Sequence, residues 1–240
     1  MNNGDIMIKM ILFDLDGTLL PMDQEQFVNA YLQKMAARMA PHGYDPSLLA
    51  KTIWKGTAAM VMNDGAASNE AVFWKVFESV FGEGSRKDEP LFDEFYRTDF
   101  QTVKDVCGFD PLASQVIAQI REMGIRVALA TNPLFPAIAT QSRCRWAGLR
   151  PEDFEWITTY ENSRFCKPNP EYYKDILAKL EIDPSECLMV GNDVAEDMVA
   201  ETLGMKVFLL TDHLINKHCQ DIGRYPQGSF PELMEFIREL

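Results

Sequence analysis

Four short stretches of the chain carry side chains that can do chemistry. Asp14-Leu15-Asp16-Gly17-Thr18 places two carboxylates two residues apart, followed by a hydroxyl. Thr131-Asn132 follows an apolar run, Lys167-Pro168 precedes a helical pattern, and Gly191-Asn192-Asp193 is followed by Asp197. Carboxylates can attack as nucleophiles, carry protons or bind a hard cation through oxygen. A hydroxyl and an ammonium can hold an anion. Each stretch taken singly has a plainer reading. An Asp-Gly pair makes turns, a Thr caps helices, a Lys before Pro sits in solvent, and Asp193 and Asp197 suit the positive start of a helix. Joint occurrence separates the two readings, because a DxDGT match arises by chance in only about one chain in a thousand of this length.

These residues fall where a parallel sheet would gather them. Ile6 to Phe13 is an apolar run ending at Asp14, as expected of a buried strand. From about Asp23 to Val103 the pattern changes to amphipathic helices. Phe27, Tyr31, Met35 and Met39 recur at i, i+4, as do Val72, Val76 and Val80 beside Phe73, Phe77 and Phe81, and Phe92, Tyr96 and Phe100. After Asp110 strands and helices alternate. Helices are expected over 111–123, 133–146, 171–180, 194–203 and 231–239, and strands over 125–130, 154–159, 187–190 and 206–210. The alternation predicts an α/β fold, a doubly wound parallel sheet with a Rossmann-like core and an inserted α-helical domain. Ligands of such sheets bind at the carboxyl ends of the strands. All four stretches stand at strand exits or the loops beside them.

Composition bounds the partners. The chain has 240 residues and a net charge of −13, with 23 Lys plus Arg against 36 Asp plus Glu. Such a balance repels nucleic acid and anionic membranes, and no basic run offsets it. No stretch reaches the roughly 18 apolar residues of a membrane span, and the first residues lack a signal-peptide pattern. Five scattered cysteines, Cys107, Cys144, Cys166, Cys187 and Cys219, include no metal-binding or redox pair. The expectation is a cytoplasmic protein with reduced thiols. There is no internal repeat or low-complexity segment.

The four stretches, in this order, resemble the motifs of the haloacid dehalogenase superfamily, a group of mostly magnesium-dependent phosphatases. The first is DLDGT at Asp14–Thr18, the second Thr131 after an apolar strand, the third Lys167 in KPNP, and the fourth GNDVAED with Asp193 and Asp197. The resemblance spans about residues 7–211. One departure is that Asn192 stands directly after the glycine, where many members have an acid. The D-x-x-x-D spacing is intact, so the metal-binding acid aligns with Asp193.

By position, the resemblance implies Asp14 as nucleophile and Asp16 as general acid and then base. It implies Mg²⁺ on the carboxylates of Asp14 and Asp193 and the backbone carbonyl of Asp16. Thr131, Lys167 and the Asn132 amide would hold the phosphoryl oxygens, Asp197 would orient Lys167 or a metal-bound water, and Gly17 and Thr18 would complete the turn. Charge arithmetic explains the cations. At about 4 Å and an effective dielectric of about 20, each pair of unit charges contributes roughly 4 kcal/mol. Asp14, Asp193, Asp197 and a phosphate dianion sum to −5, which Mg²⁺ and Lys167 bring to −2. Residues 21–104 correspond to the family's helical cap, leaving 1–20 and 105–240 as the catalytic core. Lys55 and Gly56 interrupt a helical pattern there and are expected to form a substrate-specificity turn.

The expected activity is hydrolysis of a small phosphorylated metabolite through an aspartyl-phosphate. A phosphotransferase or sugar phosphomutase would use the same residues. A non-enzymatic phosphate-responsive binding protein is a further alternative. The dehalogenase and phosphonate-hydrolase patterns lack the second aspartate, and a receiver domain is about half this length. Arg97, Arg143 and Arg145 could meet an anionic substrate or simply water. Oligomeric state, the three histidines and the segment 211–229 receive no assignment.

Overall fold

In the computed structural model, which describes residues 7–240, five parallel strands form one sheet. They are β1 (Met10–Phe13), β2 (Arg126–Leu129), β3 (Cys187–Gly191), β4 (Lys206–Leu210) and the short β5 (Gln227–Gly228), in the order β2-β1-β3-β4-β5. The register pairs Phe13 with Leu129 on one side and Val190 on the other. The exits of β1, β2 and β3 therefore lie side by side.

Alternation along the strands explains why both faces are apolar. Ile11, Phe13, Leu188, Val190, Phe208 and Leu210 point into one buried cluster, and Met10, Leu12, Met189, Val207 and Leu209 into another. The first cluster is covered by α5 (Pro111–Glu122), α6 (Ala137–Trp146) and α8 (Phe230–Arg238). The second is covered by α7 (Pro170–Leu180) and a 3₁₀ segment, Met198–Leu203. Layers on both faces of a parallel sheet make the fold α/β and doubly wound.

Between β1 and β2 lie the inserted helices α1 (Gln24–Met39), α2 (Pro46–Val61), α3 (Asn69–Phe81) and α4 (Glu89–Arg97), then a 3₁₀ stretch, Asp99–Val106. The stripe Phe27, Tyr31, Met35 and Met39 is the buried face of α1, as its spacing predicts. In α3 the valines are only half-buried, and Trp74 and Phe77 take the core positions. The bulkier aromatic face wins because Tyr44, Phe81 and Phe92 stack around it. The insertion and the sheet share one apolar cluster, reaching from Phe77 and Phe92 to Ile11 and Val190.

Some expected elements are shorter. α6 begins at Ala137, four residues after the expected start, because Pro136 caps it in an extended conformation. The expected helix over 194–203 survives only as the 3₁₀ segment, its first turn being drawn into the side-chain bonding described below. Residues 155–158 run beside β2, where Leu129 N–H donates to Trp156 and Thr158 N–H to Leu129, without forming a full strand. The expected start of the first strand, Ile6, lies outside the described residues.

Among the described residues no helix is long and apolar enough to cross a membrane. None of the five cysteines is in a disulfide.

Candidate active site

Asp14 continues β1, and its N–H donates to the Val190 carbonyl (2.9 Å), which fixes it beside the exit of β3. The chain then turns tightly. The Leu15 carbonyl accepts from the N–H groups of Thr18, Leu19 and Leu20. Gly17 makes this possible twice over. Its φ is +84°, and a Cβ there would stand 2.3 Å from the Asn192 amide.

Lys167 is the centre of the charge arrangement. Its ammonium is buried and donates to Asp14 Oδ1 (2.8 Å) and Asp197 Oδ1 (2.6 Å). Burial works against its charge, but Asp14 and then Asp197 more than offset this and hold its pKa well above the ordinary lysine value. Asp197 also accepts the Asp193 N–H at Oδ2 (2.9 Å) and packs against Gly191, where a Cβ would meet that oxygen at 2.1 Å. Burial raises the Asp197 carboxyl above its usual range, with Lys167 opposing. The structure thus joins Asp14, Lys167 and Asp197 in one buried ion group.

Thr18 bridges the first and fourth motifs. Its hydroxyl lies 3.2 Å from Asp14 Oδ2 and 3.0 Å from Asn192 Oδ1. Thr131 is buried at the exit of β2, and its carbonyl is fixed by the hydroxyls of Thr158 (2.6 Å) and Tyr172 (2.8 Å). Asn132 donates from Nδ2 to Glu196 (2.9 Å), and its buried Oδ1 has no partner.

The fourth motif and the insertion differ in detail from the sequence expectations. The Asp193 Oδ1 accepts from the N–H groups of Ala195 (2.8 Å) and Glu196 (3.0 Å), so it caps the turn that begins there. The residue brought against the DLDGT loop is Asn192, because side chains alternate along an extended strand exit. Asn192 also donates from its side chain to the His213 carbonyl (2.6 Å), its own carbonyl accepts from the Ile215 N–H (2.8 Å), and the Val194 N–H donates to the Ile215 carbonyl (3.0 Å). The first part of segment 211–229 is therefore a buttress for the fourth motif.

Lys55 and Gly56 form no turn. Both lie inside α2, Lys55 exposed and Gly56 buried. A Cβ on Gly56 would meet the Phe73 ring at 2.6 Å, so this glycine lets α2 and α3 pack closely. The pattern break read from the sequence is a helix contact.

Three residues were not legible as site residues. Asn192 is one. Glu196 is another: burial, opposed by Lys167 and aided by Asp197, Asp193 and Asp14, pushes its carboxyl up to about 7. Such a group binds a proton in the folded state that the unfolded chain has released. The stability it contributes is present at low pH and is lost as pH rises from the ordinary glutamate range through about 7. Glu196→Gln keeps an acceptor for Asn132 and removes the charge. Calorimetry of metal-free protein should show the variant more stable by about 2–3 kcal/mol at pH 8, with the difference shrinking toward pH 5.

Arg143 is the third. It is buried on α6 and pairs through NH1 with Asp16 Oδ2. Burial raises the Asp16 carboxyl, Arg143 lowers it and Asp14 raises it again, for a net rise. Only its position in the fold distinguishes Arg143 from Arg97, which faces solvent.

Comparison with known proteins agrees with this geometry. A phosphoglycolate phosphatase of Vibrio parahaemolyticus is 28% identical over 210 residues, covering 85% of this chain and 84% of that protein. A putative phosphatase of Bacillus subtilis, YhcW, is 24% identical over 205 residues, with 85% and 84% coverage. Among solved structures, a 2-haloacid dehalogenase from Pseudomonas syringae superposes with a TM-score of 0.62 at 21% identity, covering 97% of this chain and 99% of that one. At that identity the superposition shows the shared fold alone. The model of haloacid dehalogenase-like hydrolases matches residues 8–200. With its motif residues gathered at the strand exits, the chain belongs to the haloacid dehalogenase-like hydrolase family.

Proposed function

We propose that this hydrolase is a Mg²⁺-dependent phosphatase that removes phosphate from a small phosphorylated metabolite through an aspartyl-phosphate. The carrying observation is the Asp14–Lys167–Asp197 group, with Asp16 two residues beyond the nucleophile. The relatives named as phosphatases point the same way.

The chain's own groups supply the steps. Asp14 attacks phosphorus, and the bond to the ester oxygen breaks. Asp16 gives its proton to that oxygen, then takes one from the water that attacks the aspartyl-phosphate. Free phosphate leaves and Asp14 is regenerated. Lys167, held on two carboxylates, and Thr131 steady the phosphoryl oxygens. The buried, unpartnered Oδ1 of Asn132 is a further acceptor beside them. Asp197 fixes Lys167 in place, and residues 21–104 act as the cap that covers the site and excludes water.

The donors fit a hard cation. Among the described residues no three His, Cys, Asp or Glu side chains are grouped to hold a metal by themselves. The set is instead oxygen-only and mixed: the Asp14 carboxylate, the Asp16 carbonyl and the Asp193 carboxylate, with the Asn192 amide oxygen beside them. Such a set suits Mg²⁺, which keeps several waters. When bound, it supplies positive charge that offsets the repulsion between Asp14 and the phosphate.

The test is a panel of phosphorylated metabolites, with and without Mg²⁺. Metal-dependent phosphate release is expected. Transfer of phosphate between sugars without release would instead identify a phosphotransferase.

A further inference from the structure

Arg143 has more donors than the fold uses. Its guanidinium offers five N–H groups. NH1 bonds Asp16 and NH2 makes a long 3.4 Å contact with the Thr140 hydroxyl. Nε is buried with no partner at all. A buried, under-used arginine is costly unless something completes its bonding. The other atom left bare beside it is Asp16 Oδ1, also buried and unpartnered.

The surroundings hold the guanidinium rather than satisfy it. The Phe135 ring lies 4.5 Å and the Phe27 ring 5.9 Å from its central carbon. Phe135 belongs to the loop that follows Asn132, and Phe27 to α1 of the insertion. The charge therefore stands where the insertion meets the strand exits. Beyond Phe135 lies a cavity of about 130 Å³ whose charged lining residues are Glu89 and Asp93. An anion is repelled there and attracted to Arg143.

Distance links Arg143 to substrate. A general acid must come within about 3 Å of the ester oxygen it protonates. A guanidinium on that same carboxylate then lies roughly 5–6 Å from the ester oxygen, two hydrogen-bond lengths away. That is the reach of a group one or two carbons along the leaving alcohol.

We propose that Arg143 receives a second anionic group of the substrate, so that the site prefers phosphate monoesters whose leaving group carries a carboxylate or a further phosphate close to the ester oxygen. The inference rests on the phosphatase reading and on Asp16 as its general acid. The planar fork matches either anion in a bidentate manner. The substrate's anion takes up the donors that the apoprotein leaves empty, and the aromatic rings keep the fork oriented.

Three substrates test it with the full chain and Mg²⁺: phosphoglycolate, its neutral glycolamide counterpart and p-nitrophenyl phosphate. The wild-type kcat/KM is expected to favour the acid over the amide by at least tenfold. In Arg143→Gln that ratio should fall close to one, and Arg143→Lys, which keeps the charge without the fork, should lie between. The ratio is taken within one protein, so a loss of overall rate does not affect it, and the wild-type comparison needs no variant to fold. Equal use of acid and amide by the wild type overturns the proposal, as does an undiminished preference in Arg143→Gln. Hydrolysis of p-nitrophenyl phosphate in the same experiment shows the phosphatase reading standing while the proposal falls. No phosphate release from any of the three overturns both.

Discussion

Asp14→Asn is expected to lower phosphate release from p-nitrophenyl phosphate by about 10⁴- to 10⁶-fold, the range for removing an enzymatic nucleophile. Asparagine has nearly the shape of aspartate but cannot attack phosphorus as an anion. The variant should still fold. Lys167 keeps its 2.6 Å contact with Asp197, so no buried charge is left without a partner. The loss would then belong to chemistry, and circular dichroism and a melting curve unchanged within a few degrees would show it. Residual activity above about one hundredth of wild type would exclude Asp14 as the nucleophile.

Lys167→Met is expected to damage both stability and activity. Its ammonium is buried between two carboxylates, at 2.8 Å from Asp14 and 2.6 Å from Asp197. Methionine fills the space but leaves the two acids facing each other without a cation. Breaking a buried pair by removing one partner costs about 3–5 kcal/mol. At about 2–4 °C per kcal/mol for a chain of this size, the melting temperature should fall by roughly 6–20 °C. The pH dependence has a definite sign. Without Lys167, nothing opposes the burial that raises the Asp197 carboxyl in the folded state, so the variant is favoured at low pH and penalised as pH rises. Its deficit should be smaller at pH 5 than at pH 8. Adding Asp197→Asn should recover part of the loss, because residues in one ion group do not act additively. A Lys167→Met protein that melts like wild type at pH 8 would contradict the arrangement.

Much of this was legible in the chain itself. The alternation of apolar runs and helical stripes specified a parallel sheet covered on both faces. The order of DLDGT, Thr131, KPNP and GNDVAED placed the chemistry at its strand exits. Asp14 and Asp197 reach the same lysine because β1 and β3 pair in register, which sets their exits side by side. Local signals were misleading where packing overrode them. A glycine in a helical stretch reads as a break, yet Gly56 serves a helix contact with Phe73. A periodic run from Val194 reads as a helix, yet its first turn is shaped by the Asp193 and Asp197 side chains.

Sequence by itself determined the family and the α/β fold and singled out Asp14, Lys167 and Asp197 as candidates, because these follow from residue type, order and periodicity along one dimension. Only the tertiary structure decided which neighbours those residues have. Spacing made Asp193 the natural fourth-motif acid, but the strand exit turns Asn192 toward Thr18 and folds Asp193 back onto its own turn. Arg143, one of three arginines of equal standing in the sequence, became distinct only because α6 packs it between Phe27 and Phe135 against Asp16. Glu196 likewise owes its raised pKa to burial and to charges that lie far apart in the chain, from Asp14 to Lys167. Electrostatic energies depend on separation in space and on desolvation, and neither is written in the order of the residues.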